Sequence, residues 1–236
     1  MNKGKLHLVP NILSEDGHYC LPAYLTPLLS RLKYFVVEEI KSARRLLKKL
    51  NASINIDQLE FWMLNEHQSD IPAEVMQRLK DGDEIAYISE AGCPGIADPG
   101  QTLASYAHQI GAEVIPHTGP NSILLALMAS GFNGQQFCFH GYLPNKQPLL
   151  GQKIQFLETE SRQRNQSQIF IETPYRNQQL FQEILKTGHA ETKLCIATDI
   201  TGKQEKIIAR KLKEWKNQMP EMHKVPTVFI LYAGIH

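Results

Sequence analysis

The sequence predicts an α/β protein made of two α/β domains with mainly parallel sheets. Segments with strand character alternate with segments of helical periodicity along the 236 residues. That alternation is typical of parallel sheets connected by crossover helices. A Gly- and Pro-containing turn at residues 118–122 separates the two halves. We therefore expect an amino-terminal domain at residues 1–117 and a carboxyl-terminal domain at residues 118–236.

Composition excludes several classes of protein. Lys and Arg number 25, Asp and Glu number 24, and the net charge is +1, so a large basic face is not demanded, although a local patch is compatible. The four cysteines form no C-x-x-C pair, which favours free thiols over disulfides or zinc. No apolar run approaches the roughly 20 residues that span a bilayer. The amino-terminal apolar run is cut by Pro10 and Asn11 and is too short for a signal peptide. We expect a cytoplasmic protein with no metal.

The first half alternates strands and helices. A strand at residues 5–9 ends at Pro10, and YFVVE at 34–38 has strand composition. EIKSARRLLKKL then has the periodicity of an amphipathic helix, and LEFWMLNEHQ is a strand that ends in polar residues. The remaining expected elements are a helix at 72–80, a strand from 85, a helix at 101–110 and a strand at 112–117.

The loop ISEAGCPGIADPG at residues 88–100 is the most informative stretch. It joins a predicted strand to a predicted helix and holds three glycines and two prolines between positions 92 and 100. Asp98 and Pro99 suit the N-cap and first position of that helix. A loop of this kind at the carboxyl end of a strand is where open α/β sheets bind ligands. The alternative is a well-made strand-to-helix turn with no ligand.

The second half alternates again, without repeats. SILLALMAS predicts a buried helix that ends at Gly131, and RKLKEWKNQ predicts a basic helix. The other expected elements are strands at 137–141, 168–172, 194–198 and 226–234, and helices at 152–161 and 177–186. The chain contains no G-x-G-x-x-G after a strand, P-loop, H-E-x-x-H or G-x-S-x-G pattern.

Several stretches together carry a family resemblance. SEAGCPGIADPG resembles the S-D-A-G-T-P-x-I-S-D-P-G motif of the small-subunit ribosomal RNA 2′-O-ribose methyltransferases, with Glu90 for Asp and Cys93 for Thr. VEEIKSARRLL is similar to their A-E-D-T-R-H-T-R-K-L-L, NEHQ to H-E-H-N, TGPNS to P-G-P-S-A and ETPYR to E-S-P-H-R. The chain departs from the family in the loop after the first strand, where VPNILSEDG stands for T-P-I-G-N-L, and at Thr198, which replaces an Arg.

The resemblance implies a fold and a cofactor. The family belongs to the tetrapyrrole-methylase superfamily, so it implies two α/β domains with S-adenosylmethionine in the cleft between them, and a homodimer. No membrane or metal partner is implied. The cofactor-binding residues that it implies are Pro10, Ser89, Glu90, Gly92, Ile96, Thr118, Ser122, Ile123, Ala129, Thr173 and Thr227.

The resemblance also implies transfer of the sulfonium methyl group to an RNA ribose. The strand ends would then supply a carboxylate that accepts the hydroxyl proton and cationic side chains that bind phosphate. Glu39 is the first candidate for proton acceptor and Glu66 the second. The expected substrate-binding residues are Lys41, Arg44, His67, Glu172 and Arg176. The alternative for these charges is pairing with one another. The alternative functions are a methyltransferase for a small tetrapyrrole-type molecule and a non-catalytic S-adenosylmethionine-binding module associated with RNA.

Overall fold

The computed structural model describes residues 4–65, 70–216 and 218–234. The chain folds as two compact units, Met1–Asn121 (unit 1) and Ser122–His236 (unit 2). The boundary expected from the sequence, at Thr118, lies inside unit 1. None of the helices in these described ranges is long and apolar enough to cross a membrane.

Unit 1 alternates strands and helices. Its elements are β1 (Lys5–Val9), α1 (Leu25–Arg31), β2 (Tyr34–Val37), α2 (Ile40–Leu50), β3 (Glu60–Met63), α3 (Ala73–Asp81), β4 (Glu84–Ile88), α4 (Gly100–Gln109) and β5 (Glu113–Pro116). The five strands form one sheet in the order β3-β2-β4-β1-β5. All four neighbouring pairs are parallel. The predicted α/β class and parallel sheet are therefore confirmed here.

The sheet of unit 1 is buried on both faces, as its strand composition requires. One face packs against α1 and α2, and Phe35 and Val37 of β2 belong to that core. Val36, between them, points to the opposite face and joins the core under α3 and α4. This alternation follows from the period of two along a strand. Burial on both sides explains why YFVV is an unbroken apolar run.

Unit 2 contains α5 (Ser122–Ser130), β6 (Phe137–Tyr142), α6 (Leu149–Arg164), β7 (Ser167–Ile171), α7 (Asn177–Thr187), β8 (Lys193–Thr198), β9 (Lys206–Lys211), α8 (Leu212–Trp215) and β10 (Thr227–Tyr232). Its strands form a second sheet in the order β6-β7-β10-β8-β9. Helices α6, α7 and α8 bury residues such as Ile154, Phe181 and Trp215 in one core with Phe170 and Phe229 of the sheet.

The second sheet corrects one detail of the expected fold. Only β6 and β7 pair in parallel, whereas β10 is antiparallel to β7 and β8, and β8 is antiparallel to β9. The expectation of a mainly parallel sheet is thus wrong for unit 2. For β8 and β9 the reason is the connection at residues 199–205, which is shorter than the dozen or so residues that a parallel crossover needs.

Two further differences concern local elements. The helix expected at RKLKEWKNQ is largely wrong, since residues up to Lys211 belong to β9 and α8 is a single turn. Pairing of β9 with β8 overrides the helix propensity of its Lys and Arg residues. Helix α1 was not expected in the stretch that departs from the family pattern.

Candidate functional site

The loops that follow β1, β2 and β4 begin side by side at the carboxyl edge of the sheet of unit 1. Ile88, the last residue of β4, is in register with Val9 of β1 and with Val37 of β2. Next to β1, Leu8 is in register with Pro116 at the end of β5. Four loops therefore leave the sheet at one edge, and each of them carries at least one predicted site residue.

Asn11 joins the loop after β1 to the loop after β4. Its backbone N–H donates to the Gly92 carbonyl at 2.9 Å, and the Gly92 N–H donates to the Asn11 carbonyl at 3.2 Å. The buried Asn11 side chain also donates from Nδ2 to the carbonyls of Ser89 at 3.0 Å and Glu90 at 2.9 Å. Sequence reasoning missed this role. Its only signal was a polar residue placed directly after a strand and a proline.

The Gly- and Pro-rich loop has a fixed backbone with three residues in the left-handed region. Gly92 has a φ of 68°, Gly95 of 79° and Ala97 of 64°. Asp98 holds the loop closed, since its carboxylate accepts from the N–H of Gly95 at 2.9 and 3.0 Å and from the N–H of Gly100 at 2.7 Å. Helix α4 starts at Gly100 with Pro99 in the N-cap position, so the expected N-cap role of Asp98 is wrong by one residue. Within the loop, Ile96 is 45% exposed.

Two glycines permit close approach of these loops. A Cβ on Gly119 would lie 2.2 Å from Cβ and 2.3 Å from Cγ of Pro10. A Cβ on Gly92 would lie 3.1 Å from Leu13 Cδ2 and 3.5 Å from the Pro120 carbonyl oxygen. Gly92 is thus favoured chiefly by its positive φ of 68°, with a tight contact to the Leu13 side chain adding to it.

The turn at residues 118–121 is tied to the same edge. The Cys93 thiol donates to the carbonyls of Gly119 at 3.6 Å and Pro120 at 3.4 Å. Burial raises the pKa of Cys93, so the thiol stays protonated and acts as a weak hydrogen-bond donor. The N–H of Thr118 donates to the Tyr24 hydroxyl at 3.3 Å. These contacts therefore bring together five of the predicted cofactor-binding residues, namely Pro10, Ser89, Glu90, Gly92 and Thr118.

The start of α2 adds charged groups at this edge. Glu39 is the N-cap, and its carboxylate accepts from the N–H of Lys41 at 2.9 Å and of Ser42 at 2.5 Å. Glu38 accepts from the N–H of Glu90 at 2.8 Å, which links α2 to the loop after β4. Lys41 and Arg44 are exposed, and Arg44 lies over the Phe61 ring at 5.3 Å. Neither cation forms an ion pair with another residue that the structure describes.

A histidine pair, with His7 buried and His117 half-buried, lies next to the turn at 118–121. His7 Nδ1 is 3.0 Å from His117 Nε2, and His7 Nε2 is 3.1 Å from Glu84 Oε2. Arg31 also reaches Glu84 Oε2, at 2.7 Å. Burial lowers the pKa of His7 more than Glu84 raises it, and burial lowers the pKa of His117 as well. Both rings are therefore neutral at pH 7, and one nitrogen of each can donate to the next acceptor.

The residues predicted in unit 2 form two groups. In the first, Glu172 and Thr173 follow β7, where Thr227 begins the antiparallel strand β10. Glu172 is buried, accepts from the Thr173 N–H at 2.7 Å through Oε1 and lies 3.1 Å from Arg176 through Oε2. The geometry at Oε2 is that of an ion pair without a directed hydrogen bond. Arg176 is therefore already paired, as the alternative interpretation of these charges requires.

Asn177, which the sequence did not single out, holds Thr227 in place. Its Nδ2 donates to Thr227 Oγ1 at 3.0 Å and to the Val225 carbonyl at 2.8 Å. The second group lies on α5, where Ser122 and Ile123 form the first turn and Ala129 lies near the other end. Ala129 follows Ile123 by six positions, more than one and a half turns of helix, so Ala129 is not placed with the first turn.

Two predicted residues, Glu66 and His67, lie outside the described residues. Among the parts of the chain that the structure does describe, no group of three or more His, Cys, Asp or Glu side chains could hold a metal ion.

Comparison of the amino-acid sequence with known proteins identifies relatives of this chain. No family model matches the chain. The chain is 34% identical over 179 residues to ribosomal RNA small subunit methyltransferase I of Pasteurella multocida, covering 74% of this chain and 62% of that protein. It is 30% identical to the protein of the same name in Vibrio cholerae, covering 89% of this chain and 69% of the other. The counterpart in Buchnera aphidicola is also 30% identical, with coverage of 99% and 80%.

Solved structures share the fold at low sequence identity. The methyltransferase CobJ superposes with a TM-score of 0.59 at 17% identity, covering 98% of this chain and 94% of CobJ. Uroporphyrin-III-C-methyltransferase from Thermus thermophilus gives a TM-score of 0.57 at 16% identity, covering 98% and 95%. The match to the Pasteurella protein spans less than two thirds of that relative's length.

Proposed function

This chain belongs to the ribosomal RNA small subunit methyltransferase I family, and from that premise we propose that it transfers a methyl group from S-adenosylmethionine to a ribose 2′-hydroxyl of ribosomal RNA. The observation that carries the proposal is the joining of three strand-end loops at one sheet edge. Asn11 connects the loop after β1 to the loop after β4, and Cys93 connects the loop after β4 to the turn after β5. Ligands of open α/β sheets bind at such an edge.

The residues at this edge fit a nucleoside-type cofactor. Close approach of Pro10 leaves no room for a side chain at Gly119, and a positive φ disfavours one at Gly92. The hydrogen bonds of Asn11 and Asp98 hold the loop in one conformation. A fixed loop with few bulky side chains presents amides and carbonyls to a polar ligand at low entropic cost. We propose Pro10, Ser89, Glu90, Gly92, Ile96 and Thr118 as the contacts from unit 1.

Unit 2 supplies the remaining proposed contacts. Ser122 and Ile123 occupy the first turn of an apolar helix, and the positive end of the helix dipole favours a negatively charged or polar ligand group. Thr173 and Thr227 lie at one edge of the second sheet, and Thr227 is oriented by Asn177. Ala129 has the least support, since it follows Ile123 by more than one and a half turns of helix.

Methyl transfer requires alignment and removal of one proton. When bound, S-adenosylmethionine supplies an electrophilic methyl group: the C–S bond breaks with its electron pair left on sulfur while the C–O bond forms. The 2′-hydroxyl loses its proton, and Glu39 is our first candidate to accept or orient it. Two backbone amides fix the Glu39 carboxylate, which leaves lone pairs on both oxygens. Glu66 is the second candidate.

Exposed cations supply the proposed RNA contacts. Lys41 and Arg44 project from the first turns of α2 beside the Glu39 carboxylate, so each can bind a phosphate flanking the target ribose. Arg176 is a weaker candidate because Glu172 already pairs with it. We retain His67, Glu172 and Arg176 as proposed substrate-side residues.

The test combines cofactor binding with methyl transfer. Calorimetry should show binding of S-adenosylmethionine or its demethylated product to the wild-type protein. Incubation with labelled S-adenosylmethionine and total cellular extract should then place label in RNA. Label in a small coloured molecule would favour a tetrapyrrole-type substrate, and binding without transfer would favour a non-catalytic module. Absence of cofactor binding would contradict the proposal as a whole.

A double variant separates the RNA contacts from the cofactor contacts. Lys41→Ala with Arg44→Ala should keep the affinity for S-adenosylmethionine and lose RNA affinity. The slope of log affinity against log salt should become shallower by roughly 1 to 2 units, since single strands contribute about 0.7 per phosphate contact. An unchanged slope would show that these cations serve only the fold.

We also propose a homodimer, as the family resemblance implies. Helix α5 supports this because Met128 is 78% and Leu124 45% exposed on a helix with no charged residue. Sedimentation should give about twice the chain mass of 26.8 kDa at micromolar concentration, and Met128→Lys should weaken association. A wild-type mass near 26.8 kDa would contradict the proposal.

A further inference from the structure

We propose that the whole exposed face of α2, beyond Lys41 and Arg44, is a track that binds the sugar–phosphate backbone of the RNA substrate. This inference rests on the proposed function and adds three residues that the family resemblance did not single out as site residues, namely Arg45, Lys48 and Lys49. The helix IKSARRLLKKL contains five cations and no acidic residue.

The five cations lie on one face of the helix. At 100° per residue, Lys41, Arg45 and Lys48 lie within about 60° of one another, with Arg44 and Lys49 flanking them. The opposite face consists of Ala43, Leu46 and Leu47, which are buried in the core against the sheet. Between Lys41 and Lys49 the helix rises about 12 Å. The track therefore starts at the proposed reaction site and leads away from it.

Among the described residues, carboxylates neutralise little of the charge of this face. Some basic residues elsewhere in the described chain have close carboxylate partners, such as Arg31 with Glu84 at 2.7 Å and Lys211 with Glu191 at 2.8 Å. On α2, the ion pair found among the described residues is that of Arg45 with Glu15, at 3.7 Å between side chains that are 67% and 90% exposed. A pair so exposed is worth little and is readily exchanged for another anion.

Two of the cations are oriented by neutral groups. Lys48 Nζ donates to the carbonyls of Ala52 at 3.1 Å and Ile54 at 2.8 Å, and Lys49 Nζ donates to the Glu15 carbonyl at 2.7 Å. Carbonyl oxygens restrict where the ammonium groups can go but leave their charge uncompensated. An ammonium group has three N–H donors, so each retains at least one for a phosphate oxygen.

The chemistry of the face favours RNA over two other polyanionic partners. A membrane-surface helix needs an apolar face for the lipid, whereas the apolar face of α2 is buried in the protein core. The Arg44 guanidinium over the Phe61 ring combines a cation with an aromatic surface, the pairing that single-stranded nucleic acid sites use. An acidic protein segment is the remaining competitor, and the test includes it.

The experiment measures RNA affinity as a function of salt. A labelled single-stranded RNA oligonucleotide is titrated with wild-type protein and with the triple variant Arg45→Gln, Lys48→Gln, Lys49→Gln. The triple variant should bind more weakly, with a salt slope shallower by about 2 units from three lost phosphate contacts. Its affinity for S-adenosylmethionine should equal that of the wild type. The control variant removes three exposed lysines elsewhere in the chain, Lys80→Gln, Lys146→Gln and Lys186→Gln, and should keep the wild-type slope.

Each remaining outcome decides between the inference and its premise. Wild-type RNA binding with an unchanged slope in the triple variant would overturn the track and leave the proposed function standing. Absence of RNA binding by the wild type would overturn both. Tighter binding of polyglutamate than of RNA of equal charge would overturn the assignment to RNA.

A single variant tests the track without disturbing the fold. Lys48 and Lys49 also donate to backbone carbonyls, and the triple variant loses those hydrogen bonds, whereas Arg45→Gln alone keeps them. Arg45→Gln should make the salt slope of RNA binding shallower by about 0.7. A slope equal to that of the wild type in this folded variant would count against the track.

Discussion

Pro10 and Gly119 show how a single Cβ atom decides whether two loops can meet. The backbone of Gly119 needs no left-handed conformation, and what forbids a side chain there is the proline ring alone. A contact of 2.2 Å cannot be relieved by rotamer change, because the proline ring has no free rotation. Either the turn or the loop after β1 has to move.

We expect Gly119→Ala to lower the free energy of unfolding by about 1–3 kcal/mol, the usual cost of overpacking. It should also weaken binding of S-adenosylmethionine, since the displaced loops carry the proposed contacts. Gly134→Ala is the matched control, because a Cβ at Gly134 meets nothing within 4 Å. Denaturant unfolding and calorimetry measure the two effects. Equal stability of both variants would contradict the steric explanation.

The buried histidines predict how stability depends on pH. Burial lowers the pKa of His7, His117 and His140 in the folded protein, whereas the unfolded chain has histidine pKa values near 6.5. Below about pH 6.5 the unfolded state therefore binds more protons, and stability falls as the pH falls through the folded pKa values. Above that pH their contribution is fully present.

We expect the free energy of unfolding to decrease as the pH is lowered from 7 to 5. The His7→Gln variant should show a smaller decrease over the same range. Glu84, Arg31, Lys5 and His117 are the charged or titratable groups that face His7, and they are unchanged in the variant. The control is His108→Gln, at an exposed position of α4. Denaturant unfolding at several pH values measures the slope. A slope that is the same in wild type and His7→Gln would contradict the role given to burial.

At the scale of single elements, α2 has the clearest capping interaction. Glu39 accepts from two backbone amides in the first turn, which satisfies two of the donors that a helix start leaves unpaired. Glu39 is also our first candidate to accept or orient the proton of the ribose 2′-hydroxyl. Stability and activity therefore have to be measured together to separate its two roles.

Glu39→Ala should cost about 0.5–2 kcal/mol of stability through loss of the cap. Glu39→Gln keeps one accepting oxygen and should recover part of that stability while remaining inactive in methyl transfer. Glu74→Ala, in the first turn of α3 where no side-chain cap is present, should have a smaller effect. Thermal unfolding and transfer of labelled methyl groups distinguish these outcomes. An active Glu39→Gln protein would reassign the proton acceptor.

Elements with a strong local pattern could be predicted from the sequence. The apolar run of β2 and the periodicity of α2 gave both elements nearly to the residue. Strand β9 could not be predicted, because KIIARK is half-buried at the edge of a sheet and its partner β8 alone decides its conformation. The loop at 88–100 was recognisable, but the hydrogen bonds of Asn11 depend on the neighbouring strand order.

At the scale of the whole molecule, each unit contains a complete sheet. All five strands of the first sheet lie before Asn121, while the second sheet has β10 between β7 and β8. Removal of β10 would leave both of its neighbours with unpaired edges. Removal of unit 2 would leave every strand pair of unit 1 intact.

A fragment of residues 1–121 should therefore unfold cooperatively, as judged by circular dichroism in urea. A fragment of residues 122–226, which lacks β10, should be expanded or aggregated, because β7 and β8 are apolar strands with exposed edges. The matched control is residues 122–236, which restores the strand. Cooperative unfolding of the shorter unit 2 fragment would contradict the central role of β10.

The late position of β10 has a consequence for synthesis on the ribosome. The sheet of unit 1 can close once Pro116 has emerged, while β7 and β8 wait for Thr227 to emerge. About 110 residues separate those two events in the sequence, which at 5–20 residues per second is an interval of roughly 5–20 s. During that interval unit 1 can already be folded, and the nascent second sheet presents two apolar strand edges to the ribosome exit site and its chaperones.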